Sequence, residues 1–451
     1  MKARRIALVL VALAAATLFW ISGCGKNENP VKDVAPSSRL PYTGPVPFEV
    51  LRYSPLGGGD DMNRIVSVAY SSVEPLSIDQ PPLPVLYLLH DFEGDGDYFD
   101  RYRLQVIMDD MFQKGEIGRM MVVTVGADTR LGGSFYRNSV TAGKYEELIT
   151  ATMNFIERNY QVYTEGGRSA RAISGHGMGG YGAMRYAAEN PELFSSVSSM
   201  SGPLSLGAVN GSWLAEWTDK VLTENSARGD SAAFFNYIRA DQTPPFVGSP
   251  YTKRFYAMAA TFSPRALEVL ASYPDTCLIC RKIAGCKQPR DYDSCFACSV
   301  FAAIPLARTT LTTYTSLQNR PSLIDNCSDP VTPADLGLDF PFDWNGTRVD
   351  SVWNLWMSHD VKTYVASNPS VFSDIDLYFD CGAEDEFGFL EQNRDFDAAL
   401  SSLGIDHVYT EYSSSQGLVA NHSNLIAERL REILKFHSDR LQRPPGPDNP
   451  E

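Results

Sequence analysis

The sequence predicts an α/β fold with a mostly parallel, doubly wound sheet. Continuous apolar runs such as Val85-Leu86-Tyr87-Leu88-Leu89 are typical of strands buried on both faces of a parallel sheet. Helical patterns alternate with these runs along the chain, which is the order expected of βα units. We predict strands at 65–70, 84–90, 120–125, 170–174, 195–201, 376–380 and 408–412, and helices at 145–159, 180–190, 393–403 and 424–441.

The first residues predict export. Three basic residues (Lys2, Arg4 and Arg5) precede an apolar run at 6–21 that is too short and wrongly flanked for a membrane span. The run ends in Ile21-Ser22-Gly23-Cys24, which resembles a bacterial lipobox. We therefore predict a lipoprotein signal peptide at 1–23, lipid on Cys24 and a flexible tether at 24–45. An ordinary cleaved signal is the alternative. The prediction places the chain in a bacterial cell envelope, at the outer membrane or cell surface, and its lipid in the membrane.

The net charge and the length of the chain limit the kinds of function that it can have. The net charge is −15, and it becomes −18 once the three basic residues of the leader are removed. This argues against nucleic acid as a partner. The remaining length suits one large α/β domain with an insertion, which we place at 46–440. The tail at 441–451 is rich in proline and is predicted to be disordered.

Six of the eight cysteines fall within 265–335, a stretch without a clear βα rhythm. We interpret it as a cap-like insertion over the active site, with a stapled peripheral loop as the alternative. Its cysteines suit disulfides, which are natural in an exported protein. Structural zinc is the rival, because two C-x-x-C pairs stand 14 residues apart. The cysteines concerned are Cys277, Cys280, Cys286, Cys295, Cys298 and Cys327. Cys381 is predicted to be a buried free thiol.

The segment Gly175-His176-Gly177-Met178-Gly179 has the outline of a G-x-S-x-G nucleophile elbow, but its centre is glycine. Acyl transfer needs a nucleophile, a base and a carboxylate that orients the base. Asp385 and His422 follow the elbow in the chain order nucleophile, acid, histidine. We therefore predict a triad in which Gly177 marks a vacant nucleophile position.

Taken together, these segments resemble the putative-esterase branch of the α/β hydrolases, which contains S-formylglutathione hydrolases, feruloyl and siderophore esterases and mycolyltransferases. The resemblance rests on segments at 84–90, 133–136, 173–184, 262–264 and 356–360, and on those around Asp385 and His422. It implies an α/β-hydrolase fold and an acyl ester as substrate, with Asp385 as acid and His422 as base. It also implies an oxyanion hole built from the backbone of Met178 and of the loop at Asp91.

Two departures from the family pattern fall within the site. Gly177 stands where the family has serine, and Asp91 follows His90 where the family usually has glycine. A carboxylate beside the oxyanion would repel the charge that develops in the transition state. Loss of a triad serine costs about 10⁶ in kcat in subtilisin, whereas glycine adopts the strained backbone of an elbow freely.

We therefore expect an exported esterase-family lipoprotein that is inactive or impaired as a serine esterase and needs no catalytic cofactor. The first alternative is a surface binding pseudoenzyme for a glycan, a lipid or a protein. The second is a metal-dependent hydrolase whose ligands are His90, His176, Asp385 and His422, with Asp91 adding a carboxylate.

Overall fold

The structure is a computed structural model. It describes residues 49–53, 62–70, 81–127, 129, 132–139, 142–226, 250–264, 339–343 and 346–444. All of them belong to one compact unit, residues 40–451.

One eight-stranded sheet organises the described residues, in the order β1-β2-β4-β3-β7-β8-β9-β10. The six strands from β4 to β10 in this order are parallel, and β1 and β2 extend one edge in antiparallel pairing. A separate two-stranded hairpin consists of β5 and β6. The strands are β1 Glu49–Tyr53, β2 Met62–Tyr70, β3 Val85–Leu89, β4 Met121–Val125, β5 Asn138–Ser139, β6 Gly143–Lys144, β7 Arg171–Gly175, β8 Ser196–Met200, β9 Asp376–Gly382 and β10 Val408–Tyr412.

Helices cover both faces of the sheet. They are α1 Leu104–Gln113, α2 Tyr145–Asn159, α3 Met178–Glu189, α4 Ala208–Ser226, α5 Pro250–Phe262, α6 Asp350–His359, α7 Val361–Ser367, α8 Phe389–Leu403 and α9 Ile426–Ser438. In the part of the chain that the structure describes, three short 3-10 turns accompany them at Asp100–Tyr102, Gly167–Ala170 and Pro369–Phe372.

The predicted fold class is confirmed, and the reason is visible in the central strands. β3 and β4 are buried along their whole length. Their side chains alternate between two apolar clusters: Tyr87 and Leu89 face one side, and Leu86 and Leu88 face the other. Helices α1 and α9 pack together on the second side. Because both faces are covered, β3 is a continuous apolar run and β4 is apolar except for Thr124.

The main difference from the predicted elements lies at the antiparallel edge and in the connections. The strands β1, β5 and β6 were not predicted, and neither were the helices α1, α4, α5, α6 and α7. No described helix is long and apolar enough to cross a membrane.

The predicted terminal and inserted segments lie largely outside the described residues. This holds for the leader with Cys24, the tether and the Cys-rich insertion at 265–335. The predicted disordered tail needs a correction at its start, because Leu441 is buried and the Gln442 N–H donates to the Ser169 carbonyl at 2.8 Å. An apolar side chain and a backbone hydrogen bond hold this part of the tail against the domain.

Candidate active site

The candidate site lies at the carboxyl edge of the parallel strands. Asp91 follows β3, the elbow turn follows β7 and Asp385 follows β9. His422 lies in the loop between β10 and α9. Because parallel strands end at one edge, residues far apart in sequence meet there, as is usual for ligand sites of open α/β sheets. The structure thus brings together Asp91, Gly177, Asp385 and His422.

Neighbouring strands hold the elbow turn in place although it lacks a serine. The His176 N–H donates to the Leu89 carbonyl at 3.1 Å, and the Gly177 N–H donates to the Met200 carbonyl at 2.7 Å. Gly177 has φ +51° and ψ −113°, a conformation that side chains other than glycine's disfavour. Helix α3 begins at the next residue. The strand-turn-helix geometry of a nucleophile elbow is therefore intact.

The Asp91 side chain occupies the space that a residue at 177 would need. A Cβ atom built on Gly177 would lie 1.9 Å from Asp91 Oδ1 and 2.9 Å from His422 Nε2. Real Cβ contacts with heavy atoms below 3.0 Å are essentially absent from proteins. Asp91 in its present rotamer and any side chain at 177 therefore exclude each other.

The Asp91 carboxylate also accepts a hydrogen bond from the backbone N–H that we predicted to bind the oxyanion. The Met178 N–H donates to Asp91 Oδ1 at 2.9 Å. From the sequence we expected the Asp91 loop to contribute its backbone and the carboxylate to repel a bound oxyanion. Instead, the carboxylate itself is the anion that the Met178 N–H binds.

His422 lies between two carboxylates. Its Nδ1 is 2.8 Å from Asp385 Oδ2, and its Nε2 is 3.0 Å from Asp91 Oδ2. Asp385 is oriented by the backbone N–H groups of Phe387 and Phe389, which donate to its Oδ1 at 3.0 and 3.4 Å. The predicted acid and base are thus in hydrogen-bond contact, and a second carboxylate stands where the nucleophile of a serine hydrolase would be.

This arrangement favours the imidazolium form of His422. Burial alone would lower the pKa of His422, but the charges of Asp385 and Asp91 and their hydrogen bonds raise it to about 9. Burial would likewise raise the pKa of the Asp91 carboxyl, yet His422 holds it well below its usual range. Both ring nitrogens of His422 face carboxylate oxygens, so each is a donor. The site therefore contains a buried carboxylate–imidazolium–carboxylate chain.

His176 stacks against His422 with ring centroids 4.7 Å apart. Its Nε2 donates to the His422 carbonyl at 2.9 Å, and its Nδ1 accepts from the Tyr98 hydroxyl at 2.8 Å. Burial lowers the pKa of His176 to about 3, so the ring is neutral. His176 thus connects Tyr98 to the backbone of His422.

A buried ion pair lies beneath His422. Arg429 donates from Nε to Asp380 Oδ1 at 2.8 Å, and from a terminal nitrogen to the His422 carbonyl at 3.3 Å. Another of its nitrogens donates to the Ser201 hydroxyl at 2.9 Å. The carbonyl of His422 thus accepts from both His176 and Arg429, which fixes the backbone that carries the imidazole.

Aromatic side chains close the other side of His422. Phe387 and Phe389 contact its ring edge-on, with centroids 5.1 and 5.5 Å away. The Arg254 guanidinium lies over Phe387 at 4.0 Å and over Phe92 at 4.7 Å. These contacts leave the imidazole almost completely buried.

The metal ligands predicted from the sequence are corrected by this geometry. Among the described residues, the one cluster with suitable ligand atoms is Asp91, His176 and His422. His90 does not join it, because its Nδ1 donates to the Asp91 carbonyl at 2.7 Å and its Nε2 accepts from the Ala127 N–H at 2.8 Å. Asp385 contacts His422 from the far side of the ring instead.

Cys381 is free and buried, as predicted. Its thiol donates to Asp385 Oδ2 at 3.7 Å. The six other cysteines predicted for disulfides or zinc lie outside the described residues.

Similarity to known proteins covers the first half of the domain. Residues 74–247 match the model of the family described as "Putative esterase". Esterase Rv1288 and Esterase MT1326, from two strains of Mycobacterium tuberculosis, are each 30% identical to this chain over 190 residues. The match covers 40% of this chain and 39% of each relative, so the chain spans about two fifths of their length.

Solved structures of similar architecture include a ferulic acid esterase, which is 18% identical, with a TM-score of 0.46. That match covers 87% of this chain and 97% of the other. An S-formylglutathione hydrolase from Agrobacterium tumefaciens is 14% identical, with a TM-score of 0.45 and coverage of 88% and 95%. MPT51 from Mycobacterium tuberculosis is also 14% identical, with a TM-score of 0.42 and coverage of 88% and 99%.

Proposed function

We propose that the chain is an exported, lipid-anchored member of the putative-esterase family of α/β hydrolases that no longer cleaves esters through a serine. It keeps the esterase scaffold at the cell envelope as a surface protein. The ligand that we propose is an acyl ester, which agrees with the relatives' names, and the alternatives are a glycan, a lipid or a protein.

One observation carries this proposal: the position of Asp91 Oδ1, 1.9 Å from where a Cβ at residue 177 would stand. A lone loss of serine would leave a gap beside His422. Here a carboxylate fills that gap and bonds to both Met178 and His422. Gly177 and Asp91 are therefore complementary, and a serine at 177 fits the site only if the Asp91 carboxylate moves away.

The protonation of His422 supports the same conclusion. A general base must be deprotonated and must reach the proton that it removes. With a pKa near 9, His422 is an imidazolium at neutral pH, and its Nε2 is bonded to Asp91. The Met178 N–H is also occupied, so an incoming ester finds neither a base nor this oxyanion donor.

The test is hydrolysis of short p-nitrophenyl esters by four forms of the full chain: wild type, Gly177→Ser, Asp91→Gly and the double variant Gly177→Ser/Asp91→Gly. We expect turnover, and labelling by a fluorophosphonate, in the double variant alone, because only it offers a hydroxyl and a free Met178 N–H. The rate should exceed that of either single variant by at least about 10²-fold, the size of one lost oxyanion donor.

The control is His422→Ala in the double-variant background, which should abolish the gain. Turnover by wild type that disappears in His422→Ala alone would contradict the proposal, since it would show that the native site works as a hydrolase.

A further inference from the structure

The side chains of Asp91, His176 and His422 form a compact set of metal-ligand atoms. One atom from each lies within 4.8 Å of the others. Asp91 Oδ2 is 3.0 Å from His422 Nε2 and 3.9 Å from His176 Nδ1. Two ligands of a tetrahedral zinc ion at about 2.0–2.1 Å stand roughly 3.3 Å apart, so the two observed spacings bracket the required one. We propose that Asp91, His176 and His422 bind a zinc ion.

The groups that would orient the two histidine ligands are already in place. A histidine that binds metal usually donates its other ring N–H to a carboxylate or a carbonyl. His422 points Nδ1 at Asp385 Oδ2, and His176 donates Nε2–H to the His422 carbonyl. Both rings are thus oriented with the proposed ligand nitrogen facing the cluster.

The third ligand is anchored in the same way. Asp91 Oδ1 accepts from the Met178 N–H, which leaves Oδ2 to face the two histidines. Carboxylate and imidazole together are a common zinc ligand set, and two histidines with one carboxylate leave a fourth position for water.

The local charge also suits a dication. Asp91 and Asp385 are both buried. The imidazole of His422 lies between them and is bonded to both carboxylates. With a protonated His422, the side chains of Asp91, His422 and Asp385 carry a net charge of −1. A zinc ion in place of the proton between Asp91 and His422 makes the set neutral, because two carboxylates balance one dication. Buried charges are tolerated when they are balanced in this way.

The three proposed ligands are buried side chains. Asp91, His176 and His422 are each at most 4% exposed. One contact must be exchanged on binding: the Tyr98 hydroxyl donates to His176 Nδ1, the atom proposed to bind zinc. The Tyr98 hydroxyl therefore competes with the ion for His176 Nδ1. Removal of this hydroxyl should not weaken zinc binding, whereas removal of a ligand should.

The proposed experiment measures zinc uptake by the metal-depleted full chain, through equilibrium dialysis and elemental analysis. Asp91→Asn and His176→Gln should each lose one bound ion per chain, with an affinity lower by more than about 100-fold. His407→Gln is the matched control, because His407 bonds to Asp397 far from the cluster, and it should bind as wild type does. Tyr98→Phe should bind as tightly as wild type or more tightly.

Cobalt separates this site from any thiolate site, since Cys277 and its neighbours are also potential ligands. Cobalt bound at Asp91, His176 and His422 should lack the charge-transfer absorption that cysteine ligands produce. The inference is overturned if neither wild type nor Tyr98→Phe takes up such an ion. Equal uptake by wild type, Asp91→Asn and His176→Gln would overturn it as well. These results do not depend on ester hydrolysis, so failure here leaves the proposed function intact.

Discussion

Asp91 forms a buried ion pair with His422, with Oδ2 3.0 Å from Nε2. Asp91 comes from the loop after β3, and His422 from the loop before α9. The pair closes a chain of charges that begins at Asp385, and it occupies the position at which a serine nucleophile would meet its base. The properties of this pair lead to the first two predictions.

Gly177→Ala should destabilise the fold by about 2–6 kcal/mol. It adds an overpacked contact with Asp91, worth roughly 1–3 kcal/mol, to the strain of a positive φ, worth a similar amount. Chemical unfolding measures this free energy. Gly167→Ala is the matched control, because Gly167 has φ +54° and a Cβ there would meet nothing within 4 Å. It should show the strain alone.

The double variant Gly177→Ala/Asp91→Gly tests the same contact by a thermodynamic cycle. The two changes should couple by about 1–3 kcal/mol, because removal of the carboxylate relieves the clash. Additive effects of the two substitutions would show that Asp91 does not constrain residue 177.

The stability of the wild-type fold should fall as the pH rises from about 6.5 to 9. The folded state raises the pKa of His422 from 6.5 to about 9, so it holds a proton that the unfolded chain has already lost. This contribution is fully present below pH 6.5 and is lost as the pH passes 9; for a buried group it is roughly 3 kcal/mol. The difference between urea unfolding of the metal-free protein at pH 7.5 and at pH 9.5 measures most of this loss, because histidines that are buried and neutral in the fold, such as His176, are also neutral in the unfolded chain over that range.

Asp91→Asn should reduce that difference, because His422 then keeps Asp385 as its single carboxylate partner. Asp439→Asn removes an exposed carboxylate that pairs with Lys435, and it should leave the difference unchanged. If Asp91→Asn and wild type lose the same free energy over this range, Asp91 does not hold the proton on His422.

Arg429→Met should cost about 3–5 kcal/mol, since it leaves Asp380 buried without its partner. Burial raises the pKa of Asp380 to about 6 even with Arg429 present, which reflects how costly that charge is. Asp380→Leu in the Arg429→Met background should recover most of the loss. Arg394→Met breaks an exposed pair with Glu411 and should cost no more than about 1 kcal/mol. Similar losses in Arg394→Met and Arg429→Met would contradict this account.

Lipidation at Cys24 predicts incorporation of labelled palmitate when the full chain is expressed in a bacterial host. Cys24→Ala should abolish the label and release the protein from the membrane fraction. Cys381→Ala is the control, because this thiol is buried in the domain and should not affect labelling. Retention of the label in Cys24→Ala would show that the leader is not a lipoprotein signal.

The parallel sheet and the elbow could be predicted from the sequence because both are local. β3 and β4 are buried on both faces, so β3 is an unbroken apolar run and β4 is interrupted by Thr124 alone. The glycines of the turn after β7 indicate its tight backbone conformation. Asp385 and His422 could be predicted because their order and their positions after β9 and before α9 follow from the topology. The antiparallel strand β1 was missed, since its pattern alone does not reveal its pairing with β2.

What the sequence determined by itself is the fold class, the glycine at the centre of the elbow turn, and Asp385 and His422 as the candidate acid and base. Only the tertiary structure decided where the Asp91 carboxylate lies, because that depends on a side-chain rotamer and on the register of β3 beside β7. It also decided which histidine joins the site: His90 turns to the backbone of Ala127, whereas His176 stacks on His422. Both outcomes rest on contacts between residues dozens to hundreds of positions apart, which no local pattern encodes.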